Sequence, residues 1–120
     1  MITRLAFAGI PTSNQDRASA FWTDKVGFRI VTDRPLGDQR WIELGIAKSD
    51  TRIVLYTPED HADRIGTFFN GSFICDDVEA TWRQLTAKGV EFTVTPQKQP
   101  WGISATFIDP DGNQFVLSSS

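Results

Sequence analysis

The sequence contains an internal repeat: two predicted helices end at glycines, Gly27 and Gly89, that lie about half a chain apart. Each helix follows one predicted strand and precedes three more. A chain with this pattern is expected to fold as two copies of one βαβββ unit. We therefore predict the α+β class with two tandem modules. The predicted strands cover residues 2–10, 28–32, 41–46, 52–57, 71–75, 90–95, 104–108 and 114–118. The predicted helices cover residues 16–26 and 78–88. Module one is expected to span residues 1–58, a linker residues 59–69, and module two residues 70–120.

Charge and composition exclude several classes of function. The 12 basic and 15 acidic residues give a net charge of −3 without a basic cluster, which argues against a nucleic-acid-binding surface. No apolar run approaches the ~20 residues of a membrane span, and no signal-peptide pattern precedes the first strand, so we expect a cytoplasmic protein. The single cysteine, Cys75, and the single histidine, His61, exclude an internal disulfide, a multi-cysteine zinc site and any site that needs two histidines from one chain.

Three motifs point to a known superfamily. FW-x3-VGF covers residues 21–28, KGVEF covers 88–92, and Trp101-Gly102 precedes FIDPDGNQF at residues 107–115. With the repeated βαβββ unit, these motifs resemble the vicinal-oxygen-chelate superfamily, which contains glyoxalase I, the extradiol dioxygenases and the bleomycin- and fosfomycin-resistance proteins. The resemblance implies curved mixed sheets that form a cleft. It also implies a homodimer with a small organic ligand at the subunit junction.

The positions at which metal-dependent members of that superfamily carry their ligands hold side chains unsuited to a metal ion. Carried over from the shared motifs, these positions are Phe7, Leu55, Asn70 and Val116. A catalytic cation needs histidine, glutamate or comparable deprotonated donors. The resemblance is therefore to a glyoxalase-like branch without metal ligands, and we expect neither a metal nor another cofactor.

The resemblance implies that Phe7, Leu55, Asn70 and Val116 face the cleft, and strand alternation extends this lining, because alternate side chains of a strand point to opposite faces. In the strand over residues 41–46, Ile42 and Leu44 form the apolar face, which turns Trp41 and Glu43 towards the cleft. Trp101 follows Pro100 and is expected at the entrance. The expected ligand-binding residues are Phe7, Trp41, Glu43, Ile53, Leu55, Asn70, Ser72, Trp101, Gln114 and Val116.

Glu43 and two tryptophans have the most specific expected roles. A carboxylate in an aromatic-lined cup would have a raised pKa and could act as a general base or pair with a cationic ligand. Alternatively, Glu43 is a solvated residue of its strand or forms an ion pair with Arg40 or Arg52. Trp41 and Trp101 either stack on a planar ligand or fill the cup or the dimer seam.

These observations favour a metal-free protein of the bleomycin-resistance type that binds an aromatic or cationic organic ligand and so serves antibiotic resistance. The alternative is a metal-independent lyase or isomerase that uses Glu43 as its base. A metal-dependent glyoxalase or dioxygenase is the third hypothesis, which the side chains at the four ligand positions disfavour.

Overall fold

The computed structural model describes residues 1–119 and divides into two compact units, Met1–Ile65 and Gly66–Ser120. The division falls inside the segment 59–69 that we expected to be a linker. Each unit has the order strand, helix, three strands, and each has its own four-stranded mixed sheet. The predicted α+β fold of two βαβββ modules is confirmed.

The first unit begins with a strand that is shorter than predicted, because residues 2–6 precede it as exposed irregular chain. Its sheet has the order β1-β4-β3-β2, with β1 parallel to β4 and the other pairs antiparallel. The elements are β1 (Phe7–Pro11), α1 (Gln15–Ala20), a π-helical continuation of α1 (Phe21–Val26), β2 (Arg29–Leu36), β3 (Gln39–Gly45), β4 (Arg52–Tyr56) and a short 3₁₀ helix (Ala62–Arg64).

The helix of the first unit is fixed at both ends by local chemistry. The side chain of Asn14 accepts a hydrogen bond from the Arg17 backbone N–H and caps the start of α1. Gly27 ends the π-helical continuation with a φ of 94°, a conformation that favours glycine. The Gln15 side chain donates to the carbonyl oxygens of Arg40 and Leu55, at 2.7 and 3.0 Å. These bonds attach the first turn of α1 to β3 and β4.

Strand register divides the first sheet into two different faces. Ile42 pairs with Leu55, and Leu55 pairs with Ile10, so these three apolar side chains share one face. All three are fully buried, as is Trp22 of the helical segment. This is the face that α1 covers, and it forms the core of the unit. The other face, which we call the open face of the first sheet, carries Phe7, Gly9, Trp41, Glu43, Arg52, Val54 and Tyr56.

The second unit repeats this plan with a different core. Its sheet has the order β5-β8-β7-β6, and its helix is capped by the Asp77 side chain, which accepts from the Ala80 backbone N–H. Val78 of the helix packs with Ala105 and Leu117 of the sheet. The elements are β5 (Asn70–Cys75), α2 (Val78–Ala87), β6 (Glu91–Gln99), β7 (Gly102–Ile108) and β8 (Gln114–Ser119).

The turn between β7 and β8 is held by a buried carboxylate. Asp109 is 4% exposed and accepts hydrogen bonds from the backbone N–H groups of Asp111 and Asn113 and from the Asn113 amide. Asn113 in turn accepts from the Gly66 backbone N–H at 3.1 Å. Burial raises the pKa of Asp109, and the bonds from Asn113 oppose that rise. The DPDGN segment is thus explained by its structural role.

Over residues 1–119, none of the helices has the length and apolar character that crossing a membrane would require.

Candidate functional site

The open face of the first sheet contains a pocket of about 500 Å³. A β-bulge in β2 between Ile30 and Thr32 inserts Val31, whose side chain joins the pocket wall. The pocket combines aromatic, aliphatic and charged groups, all from the first unit. It is lined by Arg4, Ala6, Phe7, Val31, Trp41, Glu43, Asp50 and Arg52.

Two aromatic rings form the apolar part of the pocket. Phe7 and Trp41 meet edge to face, with ring centroids 5.3 Å apart and an interplanar angle of 88°. This is a favourable geometry for two quadrupolar rings. Phe7 is 39% exposed, so the pair leaves aromatic surface accessible to a ligand.

Glu43 links the Trp41 indole of this aromatic pair to the guanidinium group of Arg52. Its Oε1 accepts a hydrogen bond from the Trp41 indole Nε1 at 3.2 Å, and its Oε2 lies 3.7 Å from Arg52 Nε. The Glu43 side chain is 25% exposed and that of Arg52 26%, so the pair is only partly screened by water. Of the two expected partners, Arg52 pairs with Glu43, whereas Arg40 pairs with Asp16 and Asp33. Glu43 therefore fixes the orientation of the Trp41 indole.

The sequence-based assignment of faces was wrong for β4. Ile53 and Leu55 were expected in the cleft, but the register places Glu43 opposite Val54 and puts Ile53 and Leu55 on the face that α1 covers. Leu55 is fully buried there. The physical reason is that Ile53, Val54 and Leu55 are all apolar, so no alternation of polarity marks the buried side.

Tyr56 is the aromatic residue of the open face that the sequence reasoning missed. It lies two positions after Val54 on β4 and therefore shares the face of Val54 and Glu43. Its ring is 39% exposed. Side chains alternate along β4, with Ile53 and Leu55 on one face and Arg52, Val54 and Tyr56 on the other. Only the register of β3 and β4 shows which of these two faces is the open one.

The expected site residues of the second half lie on the second sheet, opposite the face that packs on α2. Asn70 pairs with Gln114 and Ser72 with Val116, so all four point to the same side. Trp101 is 69% exposed in the turn between β6 and β7. The structure thus brings together Phe7, Trp41 and Glu43 in the first unit. In the second unit it places Asn70, Ser72, Gln114 and Val116 on one side of the sheet. A cleft that includes both sets stays a prediction.

The residues at the metal-ligand positions do not fit a metal ion. After correction of the β4 register, the first sheet offers Phe7 and Val54, and the second offers Asn70 and Val116. Among these, the Asn70 amide alone carries a donor atom, which is too few for a divalent cation site. Within the part of the chain that the structure describes, no three His, Cys, Asp or Glu side chains are grouped to hold a metal ion.

Comparison with known proteins places this site in a family context. The family model of the Glyoxalase/Bleomycin resistance protein/Dioxygenase superfamily matches residues 4–117. The protein YetH of Bacillus subtilis (strain 168) is 33% identical over 118 residues, which is 98% of both chains. The crystal structure of UcmS2 superposes over 100% of both chains with a TM-score of 0.92 and 32% identity. TnmS3, described as an antibiotic binding protein from Streptomyces sp. CB03234, gives a TM-score of 0.89 and 32% identity, with 98% of this chain and 96% of TnmS3 covered.

The match to the family model spans most of the chain, and the full-length likeness to YetH agrees with it. The resemblance seen in the sequence motifs is therefore confirmed. This chain belongs to the glyoxalase/bleomycin resistance protein/dioxygenase superfamily.

Proposed function

We propose that the protein binds a small aromatic organic ligand, without a metal or other cofactor, in the pocket on the open face of the first sheet. The observation that carries the proposal is the edge-to-face pair of the exposed Phe7 and the half-buried Trp41, whose indole is held by Glu43. The volume of the pocket, about 500 Å³, lies in the range of typical small-molecule pockets. The proposed partners are this ligand and a second copy of the chain.

The pocket supports an aromatic ligand better than it supports a cationic ligand. Both carboxylate oxygens of Glu43 already have partners, the Trp41 indole and Arg52. A cationic ligand group would have to compete with Arg52 for this carboxylate. A flat ring system needs only the exposed surfaces of Phe7 and Trp41.

The comparison with TnmS3 supports an antibiotic as the ligand class, since that relative is described as an antibiotic binding protein. We propose sequestration of such a compound by a cytoplasmic homodimer. The chain has a single cysteine, Cys75, and its fold therefore depends on no internal disulfide that would need an oxidising compartment.

The proposal is tested by a thermal-shift screen of aromatic antibiotics, followed by fluorescence titration of each compound that raises the melting temperature. A bound ring near Trp41 should quench or shift its emission, and the Trp41→Phe variant should lose most of this signal while remaining folded. Trp82→Phe, in α2, is the matched control and should keep the signal. A signal that survives in Trp41→Phe with unchanged affinity would place the ligand elsewhere.

Catalysis by Glu43 is the second candidate function, because this carboxylate lines the pocket. A metal-independent lyase or isomerase would use Glu43 as its base, and Glu43→Gln would then abolish turnover. A pure binding protein should retain aromatic ligands within a few-fold in the same variant, because the rings of Phe7 and Trp41 remain. Elemental analysis of the purified protein should give no stoichiometric Zn, Ni, Fe or Mn in either case.

A further inference from the structure

We propose that the aromatic ligand carries a carboxylate group, which Arg4, Arg29 and Arg52 bind at one end of the open face of the first sheet. We call these three residues the arginine site. They are far apart in the sequence, and only the fold brings them together. The inference rests on the proposed function, because it specifies the chemical class of the same ligand.

Strand register places two of the arginines on the open face, on either side of Gly45. Gly45 of β3 pairs with Arg29 of β2 and with Arg52 of β4, and Arg52 also pairs with Phe7 of β1. Residues paired in this way point to the same side of a sheet. The four residues therefore form one row across the sheet, with the two arginine Cα atoms about 10 Å apart, which is two strand spacings. In this row Arg52 lies directly beside an aromatic residue of the pocket.

Gly45 provides the space in which the Arg29 guanidinium lies. A Cβ atom at Gly45 would come 2.7 Å from Arg29 Cζ and 2.9 Å from its Nη2. The guanidinium therefore lies against the backbone of β3 and extends from β2 towards Arg52. The φ of Gly45 is not positive, so the approach of Arg29, and not the backbone conformation, accounts for the glycine.

The loop between β3 and β4 holds all three guanidinium groups at this end of the face. Each group donates one hydrogen bond to a backbone carbonyl oxygen of the loop. The pairs are Arg29 Nη1 with Ala47 at 2.5 Å, Arg52 Nη1 with Ser49 at 2.8 Å and Arg4 Nη1 with Asp50 at 3.3 Å. A guanidinium has five N–H donors, so these bonds position the groups and leave most of their donors for a ligand.

The arginine site has more positive charge than the carboxylates beside it neutralise. Glu43 and Asp50 also line the pocket, and Glu43 Oε2 lies 3.7 Å from Arg52 Nε. The Asp50 side chain is exposed, and over the described residues 1–119 its carboxylate forms no ion pair. Three guanidinium groups and two carboxylates leave an excess positive charge in a chain whose net charge is −3. This local excess attracts an anion.

A carboxylate is the anion that this arrangement favours. Guanidinium groups bind carboxylates through paired N–H donors. Repulsion from Glu43 and Asp50 increases with the charge of the ligand group, which disfavours a doubly charged phosphate. Because Arg52 and Phe7 are neighbours in one row, a ring that contacts Phe7 can direct its carboxylate at the arginine site. The predicted ligand is a planar aromatic carboxylic acid.

Two probes of the same shape and different charge test the inference: 2-naphthoate and the neutral 2-naphthamide. Their dissociation constants are measured by fluorescence titration and calorimetry. The native protein should bind 2-naphthoate at least about fivefold more tightly, and added salt should reduce this difference. Arg29→Gln and Arg4→Gln should each weaken 2-naphthoate by about three- to fivefold, the effect of one partly exposed ion pair, and leave 2-naphthamide within about twofold.

The controls separate a local contact from net charge and from loss of folding. Arg83→Gln, in α2 of the second unit, removes the same charge from an exposed side chain and should change neither affinity. Arg4 precedes β1 in exposed irregular chain, so Arg4→Gln should keep the native melting temperature and remains informative if Arg29→Gln unfolds. A third probe, 2-naphthyl phosphate, should bind more weakly than 2-naphthoate.

The outcomes distinguish this inference from the proposed function. If Trp41→Ala weakens both naphthalene probes but the native protein binds them equally, the pocket binds aromatic ligands and the arginine site is wrong. If Arg4→Gln and Arg29→Gln weaken 2-naphthoate no more than Arg83→Gln does, the arginine site is also wrong. Tighter binding of 2-naphthyl phosphate would contradict the choice of a carboxylate. If neither naphthalene probe binds, or Trp41→Ala changes neither affinity, the proposed function fails, and this inference fails with it.

Discussion

At the scale of single residues, Glu43 shows how a carboxylate in a pocket can be structural. Its two oxygens join the Trp41 indole to the Arg52 guanidinium, so the side chain orients a ring and neutralises a charge. A general base needs a carboxylate oxygen that is directed at the substrate, whereas both oxygens of Glu43 are directed at groups of the protein. The partners of Glu43 therefore favour a positioning role over a catalytic one.

Glu43→Gln should lower the free energy of unfolding by less than about 1 kcal/mol, because the ion pair with Arg52 is partly exposed. It should also shift the intrinsic emission of Trp41, since the indole loses a charged acceptor. Urea denaturation and fluorescence spectra measure both effects. Glu79→Gln, which removes the exposed pair with Arg83, is the control and should leave the emission unchanged. A loss of several kcal/mol in Glu43→Gln alone would show that the pair is central to folding.

Asp109 gives a prediction about pH. Because burial raises its pKa above the ordinary value of 3.8, the folded state binds a proton more readily than the unfolded chain. The contribution of this group to stability is therefore fully present below that ordinary value and is lost as the pH rises through the folded pKa. The free energy of unfolding of the native protein, relative to that of Asp109→Asn, should fall as the pH is raised over this range. An Asp109 carboxyl resonance that titrates at or below the ordinary value would contradict the prediction.

At the scale of elements, the sequence predicted which face is buried only in strands where apolar and polar side chains alternate. In β3, Trp41 and Glu43 alternate with Ile42 and Leu44, and the register confirms that the two pairs lie on opposite faces. In β4 three apolar residues follow one another, and their faces are set by pairing with β1 and β3, which the local sequence does not encode. The same limit applies to Gly9, where a Cβ atom would come 2.8 Å from the ring of Tyr56, a residue far away in the sequence. Residues 2–6 were included in the first predicted strand because residues 2–10 as a whole are mostly small and apolar with a rough alternation, but β1 starts at Phe7.

Leu55→Ala tests the corrected face of β4. Leu55 is fully buried under α1, so the cavity should lower the free energy of unfolding by about 2–5 kcal/mol without a direct effect on ligand contacts. Denaturant titration and the affinity for an aromatic probe measure the two effects. Val116→Ala, at a half-exposed position of the second sheet, is the control and should cost less than about 1 kcal/mol. A mild loss of stability with a large loss of affinity in Leu55→Ala would restore the original assignment of Leu55 to the cleft.

At the scale of the whole molecule, each unit leaves one side of its sheet without its own helix. Phe7 and Tyr56 are exposed on the first sheet, and Ile74 and Val116 on the second. Apolar side chains in such positions are usual at ligand sites and at contacts between subunits. Sheet surfaces of this kind are consistent with the homodimer that the family resemblance implies.

We expect sedimentation at micromolar concentration to give a mass near twice that of the chain. Tyr56→Lys and Ile74→Lys place a charge on the open side of each sheet and should shift the distribution towards monomer if these surfaces are buried between subunits. Lys25→Glu, on the helical segment of the first unit, is a control that should leave the mass unchanged. A monomeric native protein at this concentration would contradict the expectation.

The separation of each sheet into a helix-covered and an uncovered face also has an evolutionary consequence. Side chains such as Leu55 and Trp22 are constrained by packing, whereas those at Phe7, Trp41 and Tyr56 can be exchanged with little loss of the core. Mutations on the uncovered faces therefore alter recognition while the scaffold keeps its stability. One βαβββ framework can in this way diverge towards new ligands through few substitutions, because the residues that keep it folded and the residues that face a ligand are different ones.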